Sequence, residues 1–78
     1  MYAIMVNYYV WDVTSEMETT EPMYLGIAFP PKNLYVFDEE HNSRSFRWDT
    51  KEEAEEYIET HPHLKGMSSF ENLRIVEV

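Results

Sequence analysis

TKEEAEEYIETH, residues 50–61, is the stretch of the chain with the clear helical signal, and it decides the fold class. Thr50 and Glu53 have the S/T-x-x-E spacing of a capping box, in which the Thr side chain takes up an orphan backbone N–H of the first turn. Asp49, Glu52 and Glu53 add negative charge where the helix dipole favours it. Ala54, Tyr57, Ile58 and His61 recur at i, i+3, i+4 and i+7, so they share one face. Glu52, Glu55, Glu56 and Glu59 take the opposite face. Pro62 disfavours helical backbone in the residue before it, so the helix should end near Thr60. These residues predict one helix over about 50–61.

The flanking sequence reads as strands. Tyr2–Val13 is rich in β-branched and aromatic residues on both alternations, as in a strand covered on both faces or bent by a bulge. Residues 14–22, TSEMETTEP, are polar and turn-like. From Met23 to Phe29 large side chains alternate with small ones, which predicts a helix packed closely over Gly26 and Ala28; Pro30-Pro31 closes that strand. Leu34–Phe37 and Arg44–Trp48 suggest a hairpin around DEEHNS, and Phe70–Val78 a last strand. The order β-β-β-β-α-β predicts an α+β fold, an antiparallel-dominated sheet of four to five strands with one helix on a face. Seventy-eight residues make one domain, 1–78, without repeat or linker.

Composition narrows the function. Without cysteine there is neither a disulfide framework nor a thiolate metal site. The N-terminal stretch has no Lys or Arg of the kind that opens a signal peptide, and no apolar run approaches the ~18 residues a membrane span needs. A cytoplasmic protein is expected. The net charge of −9 opposes binding to nucleic acid or anionic lipid and favours a protein partner with a basic surface. Residues 49–59 hold six acids against Lys51 alone, so i,i+4 Glu–Lys pairing on the helix is nearly absent. A polar helix face needs no function. Yet a ridge of unpaired carboxylates can also imitate a phosphate backbone and enter a basic groove.

Tyr2, Tyr8, Tyr9, Trp11, Tyr24, Tyr35, Phe37, Phe46 and Trp48 all fall on predicted strands, more than a single one-helix core encloses. Tyr9, Trp11 and Tyr35 are therefore candidate anchors for a partner, beside Asp49, Glu52, Glu55, Glu56 and Glu59. His61 and His63 lack a third ligand at a diagnostic spacing, so no metal is expected. No nucleophile elbow, phosphate loop or zincin motif occurs, so neither catalytic residues nor cofactors are expected.

TKEEAEEYIETHPHLKG followed by LRIVEV resembles the C-terminal half of small acidic proteins encoded by phages and prophages of Gram-positive bacteria. The resemblance covers residues 50–78 and implies an accessory role; it transfers no site residue. Charge and resemblance together lead to the expectation of an inhibitor of a host protein, of a nucleic-acid-handling or defence kind, acting by steric and electrostatic occlusion. The alternative is a self-assembling or homodimeric module.

Overall fold

The computed structural model describes residues 1–28 and 34–78. It contains strands β1 (Tyr2–Asp12), β2 (Met17–Ile27), β3 (Tyr35–Asp38) and β4 (Phe70–Glu77), with one helix, α1 (Lys51–Thr60), and a 3₁₀ turn, Pro62–Gly66. The strands form one antiparallel sheet in the order β3-β2-β1-β4. This is the expected α+β class, with the helix on one face.

Alternation along β1 sets the two faces. Ile4 and Val6 are fully buried and meet Leu25 of β2, Phe70 of β4, Ile58 of α1 and Leu64 of the 3₁₀ turn. Tyr8, Phe37, Phe46, Trp48 and Tyr57 pack around this core. Burying side chains of the Leu or Ile class contributes roughly 1.5–3 kcal/mol each. Helix α1 seats Ala54 and Ile58 in the sheet, as its period requires.

Three local readings change. The segment expected to be turn-like is mostly strand: only residues 13–16 turn, with Glu16 in the left-handed region at φ 53°. The amide of Thr14 donates to Asp12 Oδ1 at 2.9 Å, an Asx-type closure. Met17–Pro22 then pairs with Asn7–Asp12, and its residues are nearly all exposed, so the hairpin runs out beyond the core. Pro22 is tolerated because β3 reaches only Tyr24–Ile27, leaving Pro22 on an edge.

Arg44–Trp48 does not pair with Leu34–Phe37; β3 pairs with β2 instead. The pairing of β1 with β2 starts at Met5 and Tyr24, and in the fork beyond it residues 44–48 bond to both strands. Ile27 donates to the Arg44 carbonyl, Phe46 to that of Leu25, and Tyr2 and Trp48 exchange two bonds of 2.8 and 2.9 Å. The fourth strand before the helix is thus reduced to two bridges.

The smallness of Gly26 serves this crossing rather than the helix. A Cβ there would lie 2.2 Å from the Arg44 carbonyl oxygen. Phe29 and Pro30-Pro31 lie outside the described residues.

Candidate partner-binding surfaces

Helix α1 begins at Thr50, whose Oγ1 accepts from the Glu53 amide at 3.3 Å. At the other end the Tyr57 carbonyl accepts from His61 Nδ1 at 2.8 Å, which fixes the proton on that nitrogen. No basic side chain stands in the last turn. Asp49, Glu52, Glu53, Glu55, Glu56 and Glu59 are all exposed. Among the described residues the one ion pair joins Arg44 to Asp38 at 3.2 Å, so the helix carboxylates are un-neutralised.

The aromatic candidates separate. Tyr9 and Trp11 sit on the β1 alternation facing away from the helix, so they do not form one surface with the carboxylates. Trp11 is 64% exposed near the hairpin tip, beside exposed Val13 and Met17. The Tyr9 hydroxyl donates to Glu71 Oε2 at 3.2 Å. Its pKa is raised by lost hydration, then by that bond and the charges of Glu71 and Glu18.

Tyr35 lies on the helix side, packed on the core, with its hydroxyl 2.8 Å from His63 Nε2. Tyr57 is neighbour to both Tyr35 and His61, stacking on the His61 ring at 4.0 Å between centroids. Burial, then hydrogen bonding to Tyr35, pushes the Tyr57 hydroxyl up to about 12. These contacts clasp β3 to the end of α1 and leave Tyr35 little freedom as an anchor. Among the described residues no three His, Asp or Glu side chains gather to hold a metal. No helix among the described residues is long and apolar enough to cross a membrane.

A feature without a sequence signal lies between α1 and β4. A groove of about 420 Å³ has Ile58, Leu73 and Ile75 as its apolar lining. Lys51, Glu55 and Glu59, each one turn apart, line its helix wall, and Lys65 lines it from the 3₁₀ turn. Arg74 borders it, but its guanidinium donates to Asn7 Oδ1 and the Asn72 carbonyl.

Beside the groove runs the outer edge of β4, which among the described residues pairs only with β1. The Val78 amide donates to the Met1 carbonyl at 2.9 Å, whereas the backbone of Tyr2 turns to Trp48. Backbone direction alternates along an antiparallel pair. With Tyr2 opposite Glu77 and Ile4 opposite Ile75, Arg74 and Val76 therefore bond inward, and Ile75 and Glu77 point their N–H and C=O groups outward. A bulge between Glu71 and Arg74, with Asn72 at φ 54°, interrupts the edge below Leu73. No family model, curated protein or solved structure matches the chain.

Proposed function

We propose that the chain is a non-catalytic binding protein that recognises a protein partner with a basic surface through the carboxylate ridge of α1. Following the resemblance of residues 50–78, it is read as a phage- or mobile-element-borne inhibitor that covers the basic groove of a host nucleic-acid-handling protein. One observation carries the reading: Asp49, Glu52, Glu55, Glu56 and Glu59 are exposed and form no ion pair among the described residues. Such a ridge steers a cationic surface from a distance and fixes register on contact.

A second reading, a homodimer, draws on the unpaired outer edge of β4. Pairing β4 with its own copy would bring Glu55 and Glu59 of both subunits beside one interface, and like charges there oppose it.

The test compares three immobilised proteins in a bacterial lysate at low and high salt: wild type, a ridge variant and a control. The ridge variant carries Glu52→Gln, Glu55→Gln, Glu56→Gln and Glu59→Gln. The control loses equal charge through Glu16→Gln, Glu18→Gln, Glu21→Gln and Glu39→Gln. A salt-sensitive partner retained by wild type and control but lost from the ridge variant is the expected result. Equal retention by all three, or equal loss from both variants, overturns the role of the ridge.

A further inference from the structure

We propose that the outer edge of β4 is a strand-addition site for an extended, lysine- or arginine-bearing segment of the partner, whose alternate side chains enter the groove under α1. The inference rests on the ridge reading and gives the partner a conformation as well as a charge.

Three observations meet at this edge. Ile75 and Glu77 present outward backbone donors and acceptors that no described residue takes up. An incoming extended chain satisfies them, the main-chain recognition used wherever a peptide extends a sheet. Next to them the groove is large enough for side chains, and its apolar lining at Ile58, Leu73 and Ile75 suits aliphatic stems. Above that lining stand Glu55 and Glu59, both exposed and without an ion pair among the described residues. A long cationic side chain meets all of this at once. Its methylenes lie on the apolar lining while its charged head reaches the two carboxylates.

The groove also selects against other occupants. An acidic segment would place its carboxylates against Glu55 and Glu59 in a chain already at −9. A second copy would do the same with its own α1. Lys51 and Lys65 line the groove as well, so one basic residue opposite Ile75, beside Glu55 and Glu59, suits it better than an unbroken basic run. The bulge at Asn72 limits the pairing length, so the added strand is short.

The probe is a capped peptide of alternating threonine and lysine long enough to span β4, with an alternating threonine–glutamate peptide as its counterpart. Amide hydrogen exchange by NMR reads the result on the full chain. With the lysine peptide, exchange slows at Ile75 and Glu77, while Arg74 and Val76, already bonded to β1, change little. The glutamate peptide has no effect. Glu55→Gln with Glu59→Gln weakens lysine-peptide binding about threefold to tenfold, the scale of two partly exposed charge pairs.

If the lysine peptide perturbs only α1 resonances and leaves exchange at Ile75 and Glu77 unchanged, strand addition is wrong although the ridge reading stands. If both amides become protected as the protein alone is concentrated, the occupant is a second copy and the proposal fails. Absence of any response to the peptide at millimolar concentration also overturns it, whereas loss of partner retention in the lysate comparison bears on the ridge alone.

Discussion

Gly26 and Tyr57 show how single side chains hold the sheet to what crosses it. A methyl group at position 26 would meet backbone rather than a flexible side-chain end. Gly26→Ala should therefore lower stability by about 1–3 kcal/mol, the usual cost of overpacking, read as a lower denaturation midpoint. Smallness at Gly26 was legible in the sequence, but the element passing over it was not, because Arg44 reaches it only through the tertiary fold. Tyr57 has its hydroxyl pKa raised, so the folded state disfavours the phenolate. The stabilisation is present in full below the unfolded value of about 10 and is lost as pH rises through about 12. Denaturation midpoints should fall across that window, and Tyr57→Phe should flatten the fall. At this scale the glutamates were fully readable, since helical period alone sets them outward.

Helix α1 carries more repulsion than a helix of its length requires. Glu52 and Glu56, like Glu55 and Glu59, are like charges one turn apart, and the last turn has no cation to meet the dipole. Glu59→Lys should raise helix stability by about 0.3–1 kcal/mol, seen as a higher thermal midpoint at low salt. The Thr50 cap acts in the opposite sense: Thr50→Ala should cost about 0.5–2 kcal/mol. The strength of these local signals is why α1 was legible to within a residue at each end. Met17–Pro22 was not, because a strand projecting past the core has no buried face and hence no alternation of polarity. Arg44–Trp48 was misplaced for a different reason. Its aromatic alternation is real, yet its strand hydrogen-bond partners are Leu25, Ile27 and Tyr2, remote in sequence. Acid should loosen the hairpin turn. Asp12 is held below its usual range by hydrogen bonds from the Ser15 side chain and the Thr14 amide. Its contribution is present above the unfolded pKa of about 3.9 and disappears as pH falls through the lowered folded value.

At the scale of the molecule, a charge of −9 on 78 residues acts on fold and function together. Mutual repulsion opposes compaction, so the thermal midpoint should rise with added salt over the range in which the Debye length shrinks from about 30 Å to about 8 Å. The ridge variant should show a smaller rise than wild type. Fold class was readable from composition and period. Strand order was not, and with it went the groove and the outward edge of β4, since which backbone groups face out follows from register alone. That order places β1 at the interior of the sheet, between β2 and β4. During synthesis on a ribosome, the hairpin of β1 and β2 emerges long before residues 70–77 do. Until they arrive, the nascent hairpin exposes Ile4 and Val6 and one bare flank of β1, so a chain stalled before Phe70 is a substrate for chaperones and for misassociation with its neighbours.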